Sequence, residues 1–291
     1  MIINGIDTKD ISVVIQGAVD KKITPQCIKK IQKSLPESKI ILSTWEGTNT
    51  DGIYYDVIVF SKDPGGKKDG LKIDNVNRQI TSTKAGLEKV ETNYTLKIRS
   101  DLELKNSSFL SYWDSYPSRN PDLMFFKHRI IVSELFCKRC LDEKSLIPTP
   151  FHLSDWFQFG LTEDIKKLWN IPLVNYDDYW ECADVLELKL TGTWDSNVYS
   201  PESYIFYNSL KKQYKDLVYT GTADYNCENI SFSEKIFLSN LIIKSPQKLG
   251  FVINKLPYKN QIKGLKKFLK KQPHVMFTDD YFKKIYMEEF K

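Results

Sequence analysis

The chain has 291 residues, a mass of 33.9 kDa and a formal net charge of +5 at pH 7, with 41% hydrophobic and 27% charged residues. This size and balance are typical of an ordinary soluble globular protein that buries a large core. No run of eighteen apolar residues occurs, which excludes a membrane-spanning helix of ordinary length. Five scattered cysteines and an N-terminus without a basic start or an apolar stretch favour the reducing cytoplasm over secretion.

The positive charge is concentrated near the C-terminus. Seven lysines and no acid occur within residues 255–271, so the remainder of the chain is slightly acidic. Local basicity of this kind does not predict a nucleic-acid-binding surface across the fold. We therefore expect no nucleic-acid partner.

Strand and helix patterns alternate through the first hundred residues. Short β-branched and apolar runs predict strands over residues 11–15, 39–44, 55–60 and 94–99. A helix is predicted from Thr24 to Leu35, with Thr24 as the N-cap and Pro25 in the first helical position. A second helix is predicted over residues 75–90. Strands separated by helices predict βαβ units and a mostly parallel sheet.

Polar, small or ring-bearing residues follow each of the four predicted strands. In open parallel sheets, ligands bind outside the carboxyl ends of the strands. The residues at these ends are Gln16 and Gly17, Trp45 and Glu46, Asp63 and Pro64, and Arg99, Ser100 and Asp101. This coincidence predicts a nucleotide site. Because no GxGxxG motif follows the first strand and no P-loop motif occurs, a dinucleotide dehydrogenase and a P-loop enzyme are disfavoured.

Two acids separated by one residue follow the fourth predicted strand. Asp101 and Glu103 are candidate ligands of Mg²⁺ or Mn²⁺, since these hard cations prefer carboxylate oxygens and neutralise a leaving diphosphate. The alternative is that both are ordinary charged residues on the solvent face of a strand. Arg99 is a candidate to bind phosphate. It also has the spacing to pair with Asp101, in a charge ladder that includes Lys97.

The predicted helix over residues 75–90 begins beside the strand ends. Asn75 and Asn77 are candidates to cap this helix, and Arg78 lies in its first turn. A helix N-terminus favours phosphate, and arginine binds phosphate with two parallel hydrogen bonds. Asn77 and Arg78 are therefore included in the predicted nucleotide site.

Several motifs occur in a fixed order along the chain. They are Ile15-Gln-Gly17, Leu42-Ser-Thr-Trp-Glu-Gly47, Asp63-Pro-Gly65, Asn75-Val-Asn-Arg-Gln-Ile80 with Ser82-Thr83, Leu96-Lys-Ile-Arg-Ser-Asp101, His152-Leu-Ser-Asp-Trp-Phe157 with Gly160, and Pro201-Glu202. Together they resemble the WavE lipopolysaccharide-synthesis family over roughly residues 11–210. The resemblance implies an α/β fold of the GT-A-like, Rossmann type, with a mostly parallel sheet and helices on both faces. It also implies that Asp101, within Arg-Ser-Asp, is at the family's metal motif.

The resemblance implies a glycosyltransferase of the cytoplasm or the inner face of the plasma membrane. It would move a sugar from a nucleotide-activated donor to a lipopolysaccharide or capsule glycan, an acceptor that is commonly lipid-linked. We expect a catalytic domain over residues 1–228, with a nucleotide-binding half at 1–105 and an acceptor half at 106–228. Residues 229–291 are expected to form a helical, lysine-rich C-terminal region.

The second half of the catalytic domain contains the candidate acids. Asp155 is the first candidate for the base that removes a proton from the acceptor hydroxyl, and Glu202 is the second. His152 and Trp156 are candidates to bind the diphosphate or the metal and to stack on a sugar. The alternatives are that Ser154 and Asp155 cap a helix, and that Glu202 is an N-terminal helix acid.

Two other functions remain open from the sequence. A nucleotidyltransferase shares the sheet architecture, although Gln16-Gly-Ala-Val19 is unlike the glycine-rich, arginine-containing loop of that class. A non-catalytic carbohydrate-binding or scaffold protein of the assembly machinery is the second alternative.

The lysine-rich segment (residues 255–271) predicts an amphipathic helix. Ile262, Leu265, Phe268 and Leu269 share one face and lysines occupy the other. Such a helix can bind an anionic membrane, and each lysine that reaches the surface contributes about 1 kcal/mol. The alternative is a helix that packs on the domain and leaves its lysines in solvent.

We predict that the chain binds anionic liposomes in a salt-sensitive manner. Replacing Lys266, Lys267, Lys270 and Lys271 by Glu should weaken co-sedimentation, because the charges that attract the anionic surface are reversed. Transfer to a short soluble acceptor should persist in this variant. Equal co-sedimentation of the wild type and the four-Glu variant would contradict membrane binding by this segment.

Overall fold

The computed structural model describes residues 1–69, 72–140, 148–176, 200–221, 224, 226–253 and 276–290. Its strands are β1 (Ile2–Ile3), β2 (Ile6–Asp7), β3 (Ile11–Gln16), β4 (Lys39–Trp45), β5 (Val57–Ser61), β6 (Lys67–Asp69), β7 (Lys72–Asp74), β8 (Tyr94–Arg99), β9 (Leu102–Leu104), β10 (Ile130–Ser133), β11 (Phe157–Leu161), β12 (Leu241–Lys244) and β13 (Phe251–Ile253). Its α-helices are α1 (Thr24–Ser34), α2 (Val76–Glu88), α3 (Thr162–Trp169), α4 (Pro201–Leu210), α5 (Cys227–Asn240), α6 (Pro246–Leu249) and α7 (Asp279–Glu289).

A seven-stranded sheet with the order β12-β10-β11-β8-β3-β4-β5 forms the centre of the fold. β3 pairs in parallel with β4 and β8, and β4 pairs in parallel with β5. Only β11 within this sheet is reversed, and it pairs antiparallel with β8 and with β10. β10 pairs in parallel with β12. The fold is therefore a mixed α/β, Rossmann-like fold with a mainly parallel sheet, as the sequence predicted.

The predicted elements of the first hundred residues are confirmed with small shifts at their ends. The strand predicted over residues 55–60 spans Val57–Ser61, and the helix predicted over 75–90 spans Val76–Glu88. The predicted capping role of Thr24 is wrong: Ile23 occupies the N-cap position of α1 without a side-chain bond. The Thr24 hydroxyl instead accepts a hydrogen bond from the Asp20 backbone N–H, which fixes the turn before the helix.

The C-terminal residues contribute to the central sheet as well as to helices. β12, which follows α5 directly, forms one edge of the sheet, and α5 and α7 both pack on it. β13 pairs antiparallel with β9, the short strand that follows Asp101. The lysine-rich segment and the amphipathic helix predicted for it lie outside the described residues.

Helix α2 packs closely on β3 and β4 at Gly86. A Cβ atom at this position would lie 2.6 Å from the Val14 Cγ1 atom and 3.1 Å from the Ser43 Cβ atom. A glycine inside a helix lowers its stability by about 1 kcal/mol relative to alanine. The close approach of helix and sheet explains why a glycine nevertheless occupies this position. This contact positions the N-terminus of α2 beside the strand ends.

Replacing Gly86 by Val should lower the free energy of unfolding by about 1–3 kcal/mol, because the new side chain overpacks the contact with Val14 and Ser43. Urea denaturation would measure the change. Glu88→Val, at an exposed position of the same helix, is the matched control and should have a small effect. A Gly86→Val variant as stable as this control would contradict the close packing.

Candidate active site

The carboxyl ends of the parallel strands meet at one cleft of about 430 Å³, called here the strand-end cleft. It is lined by residues that follow β3, β4, β5 and β8, by the first turn of α2 and by one residue before β11. They are Gln16, Gly17, Ala18, Trp45, Asp63, Asn75, Arg78, Gln79, Arg99, Ser100, Asp101 and Asp155. The crevice predicted from the four strand ends is therefore present in the fold.

Most of the residues predicted for the site lie in this cleft, and a few lie beside it. Gln16, Gly17, Trp45, Asp63, Arg78, Arg99, Asp101 and Asp155 line the cleft. Glu46, Asn77, Glu103, His152, Trp156 and Glu202 do not belong to its lining. Glu46 is exposed and uses its backbone N–H to bond the Ser61 carbonyl.

The loop after β3 forms one wall of the cleft. Gly17 has a φ of +110°, a conformation that residues with a Cβ rarely adopt. Gln16 is buried, and its Oε1 accepts a hydrogen bond of 2.9 Å from the Ser82 hydroxyl of α2. The Ser100 hydroxyl donates to the Ala18 carbonyl at 2.6 Å, which joins this loop to the end of β8.

Arg78 and Asp63 form an ion pair at the N-terminus of α2. The Arg78 Nε and Nη2 atoms each donate to an Asp63 oxygen at 2.7 Å, and Nη1 donates to Asn75 Oδ1 at 2.8 Å. These bonds from Arg78 are the main cause that lowers the pKa of the Asp63 carboxyl. The side chain of Asn75 makes no capping bond at the N-cap position, so its predicted capping role is wrong. Asp74 accepts from the Val76 N–H instead.

The Asn77 side chain does not cap α2; it bonds to the backbone of Val174, in the segment that follows α3. Its Nδ2 donates to the Val174 carbonyl at 3.0 Å, and its Oδ1 accepts from the Val174 N–H at 2.7 Å. The predicted capping role is therefore wrong for this residue too. These bonds fix the chain that follows α3 against the first turn of α2.

Arg99 and Asp101 form the pair that their spacing predicted. The Arg99 Nε and Nη2 atoms donate to the two Asp101 oxygens, each at 2.9 Å. The guanidinium lies over the Trp156 ring, with 4.2 Å between its carbon and the ring centroid. Asp101 is buried, whereas the Arg99 side chain is partly exposed. Trp156 therefore supports the guanidinium from behind the cleft.

Glu103 lies on β9, away from the cleft lining. Its Oε1 accepts a hydrogen bond of 2.8 Å from Lys105 Nζ. Of the two acids predicted to bind metal, Asp101 alone lines the strand-end cleft. Within the described part of the chain, no group of three or more His, Cys, Asp and Glu side chains is arranged to hold a metal ion.

Asp155 is a buried carboxylate in the cleft wall. Neither of its oxygens has a hydrogen-bond partner among the described residues. The Lys97 ammonium is 3.5 Å from Asp155 Oδ2, and it also donates a hydrogen bond to the Asp155 backbone carbonyl. Asp155 precedes the strand β11, so the alternative in which Ser154 and Asp155 cap a helix is wrong.

His152 and Glu202 lie close to each other behind this wall. His152 Nδ1 is 2.8 Å from the Phe136 carbonyl, and Nε2 is 3.9 Å from Glu202 Oε2. Burial is the main cause that places the pKa of His152 well below its usual value. Glu202 lies in the first turn of α4 after Ser200, whose side chain caps the helix, so its reading as an N-terminal helix acid is confirmed.

Ala18 and Gln79 line the cleft but were not predicted as site residues. Asn75 was predicted as a helix cap, and Ser100 as part of the end of the fourth strand. Extending each strand end and the first helical turn by one or two positions would have included all four, since Gln79 is one helical turn from Asn75. The sequence placed Lys97 in a charge ladder with Arg99 and Asp101, but its contact with Asp155 depends on the pairing of β8 with β11.

The fold and the cleft together define a Rossmann-like α/β protein with a ligand crevice at the carboxyl edge of its sheet. The chain belongs to the WavE lipopolysaccharide synthesis family, whose profile matches residues 11–290. A comparison with curated proteins gives no match. Among the described residues, no helix is both long enough and apolar enough to cross a membrane.

Proposed function

We propose that this protein is a glycosyltransferase that uses a nucleotide-activated sugar donor in lipopolysaccharide or capsule synthesis. Membership of the WavE family supports a part in lipopolysaccharide synthesis. The observation that carries the assignment is the strand-end cleft itself. It combines two guanidinium groups with a buried carboxylate whose oxygens have no hydrogen-bond partner among the described residues.

The donor nucleotide is proposed to bind along the ends of β3, β4, β5 and β8. The Trp45 ring at the end of β4 offers a flat apolar surface for a base. Arg78 and Arg99 offer charged donors to the diphosphate, and the N-terminus of α2 adds backbone dipoles that favour an anion. Asp63 and Asp101 hold the two guanidinium groups in place before the donor arrives.

Asp155 is the proposed base of the transfer. The acceptor oxygen forms a bond to the anomeric carbon of the sugar as its proton moves to the Asp155 carboxylate. The bond between that carbon and the phosphate oxygen breaks, and its electron pair leaves with the nucleoside diphosphate. Glu202 is the less favoured base, because it lies outside the cleft lining and begins α4.

A divalent cation fits this cleft as a companion of the donor. Arg78 and Arg99 are each neutralised by an aspartate, so the two pairs supply little net positive charge to a diphosphate. Mg²⁺ and Mn²⁺ sites commonly use one or two carboxylates together with substrate phosphates. Asp101 is the proposed protein ligand, and the cation would neutralise charge on the leaving diphosphate.

The glycan acceptor is proposed to be lipid-linked, with the protein at the inner face of the membrane. The sequence of the lysine-rich segment supports this proposal, because seven lysines without an acid between them would be attracted to anionic lipids. Contact with a membrane surface would bring a protein of this kind close to a lipid-linked acceptor.

The purified protein should release a nucleoside diphosphate from one member of a panel of UDP-, GDP-, ADP- and dTDP-sugars, slowly without acceptor. Asp155→Asn should lower kcat by about 10² to 10⁴ while donor binding persists, because the base is lost and the shape is kept. Asp164→Asn is the matched control: this buried acid of α3 accepts two backbone N–H groups outside the cleft.

Three outcomes of this experiment would contradict the proposal. Pyrophosphate release from a nucleoside triphosphate and a sugar phosphate would indicate a nucleotidyltransferase. Glycan binding without donor binding or hydrolysis would indicate a scaffold protein. Equal activity of wild type and Asp155→Asn would exclude Asp155 as the base.

The variant Asp101→Ala tests whether the diphosphate is bound with a metal ion held by Asp101 or by the arginines alone. Mn²⁺ should strengthen binding of the released nucleoside diphosphate to wild type at least tenfold, about 1.4 kcal/mol. Asp101→Ala should abolish this gain and lower transfer by about 10²-fold or more. Glu103→Ala, which removes the partner of Lys105 outside the cleft lining, should keep both. Titration calorimetry measures the binding of the nucleoside diphosphate. Full activity in excess EDTA, or no gain in binding with Mn²⁺, would show that the site does not depend on a metal.

A further inference from the structure

Lys97 is a fully buried lysine in the middle of the central sheet. Side chains alternate along a strand, so Lys97 shares a face of β8 with Thr95 and Arg99, opposite Leu96 and Ile98. None of the Lys97 side chain is exposed. Burial of an ammonium group is costly unless it is paired and hydrogen-bonded. A lysine at this position therefore needs a charged or hydrogen-bonding partner, which an apolar residue would not need.

The Lys97 ammonium contacts Asp155 and the Trp169 ring. Its Nζ donates to the Asp155 backbone carbonyl and lies 3.5 Å from Asp155 Oδ2. The Trp169 ring covers the ammonium from α3, at 4.7 Å from the ring centroid. Trp169 is itself fixed, because its Nε1 donates to Gln158 Oε1 at 2.7 Å. The ammonium is thus held at one place against the Asp155 carboxylate.

Two other charged groups act on Lys97. Arg99 lies two residues along β8, and Glu202 lies in the first turn of α4. Burial is the main cause that lowers the pKa of Lys97 to about 8; Asp155 and Glu202 oppose this effect and Arg99 adds to it. His152 contributes no charge near neutral pH, because its pKa is far below the usual value. Lys97 is therefore largely protonated at pH 7.

We propose that Lys97 is a positioning residue for the transfer, which holds the Asp155 side chain in the cleft wall through its charge and its hydrogen bond. An opposite charge within about 4–6 Å favours the ionised form of a carboxyl. The hydrogen bond to the Asp155 carbonyl fixes the backbone from which that side chain projects. This role rests on the proposed function, in which Asp155 receives the proton of the acceptor hydroxyl.

The pH dependence of kcat/KM tests this role. In a variant without the ammonium, the opposite charge beside the Asp155 carboxylate is lost, so the acid limb of the profile should move to higher pH. In Lys97→Met we expect a shift of about 1 to 3 pH units and at least a tenfold loss of kcat at pH 6. Lys97→Gln, which keeps a donor for the Asp155 carbonyl but no charge, should show the same direction of shift and serves if Lys97→Met does not fold.

A double-mutant cycle and a matched control complete the experiment. In the Asp155→Asn background, Lys97→Met should cause no further loss of kcat, because Lys97 acts through Asp155. Lys244→Met is the control: this buried lysine of β12 pairs with Asp279 outside the cleft, and its loss should leave the acid limb unchanged.

The outcomes distinguish this inference from the proposed function. Wild type without any transfer would overturn the proposed function. Suppose that the wild type is active, Asp155→Asn is inactive and the acid limb is unshifted in both Lys97 variants. This result would overturn the role of Lys97 and leave the proposed function standing. Additive losses in the double mutant would also overturn it.

Discussion

Parallel pairing of β3 with both β4 and β8 is the constraint on which the rest of the site depends. Every residue of β3 is buried, and the strand reads as the near-continuous apolar run expected of a strand covered on both faces. Because its neighbours run in the same direction, their carboxyl ends meet at one edge of the sheet. The polar residues at the strand ends are therefore brought together although they are up to 85 positions apart, from Gln16 to Asp101.

Acid–base pairs of increasing burial line or adjoin the resulting cleft. Arg78 and Asp63 are both partly exposed. In the second pair Arg99 is partly exposed and Asp101 is buried, and in the third both Lys97 and Asp155 are buried. Exposed pairs contribute little to stability, whereas buried charges are costly unless their partners are exact in position. The first two pairs hold guanidinium groups in the cleft lining. The third places an ammonium charge 3.5 Å from the carboxylate of Asp155, which also belongs to that lining.

The direction of the reversed strand β11 explains why Asp155 lines this cleft. In a parallel sheet the amino ends of strands lie at the far edge, away from the ligand. Because β11 runs antiparallel to β8, its amino end lies at the ligand edge, with Phe157 opposite Ile98. Asp155 is two residues before Phe157 and therefore reaches the cleft. The pairing also brings Gln158 opposite Lys97, and Gln158 in turn fixes Trp169 over the ammonium.

The sequence by itself determined four strands of the central sheet and two helices within the first hundred residues, together with the residues at the strand ends, but not the short strands β1, β2, β6 and β7. Apolar runs, turn residues and helix periodicity are local signals, and the strand-end rule needs only the order of elements. It did not determine the helix caps, because Asn75 and Asp74 are adjacent and both are suited to the role. It also did not separate Asp101, which lines the cleft, from Glu103, which pairs with Lys105. The direction of β11, and with it the contact between Lys97 and Asp155, was decided only by the tertiary structure. Pairing between β8 and β11, whose partner residues are 59 to 67 positions apart, sets that direction, and no local pattern records which neighbour a strand will pair with.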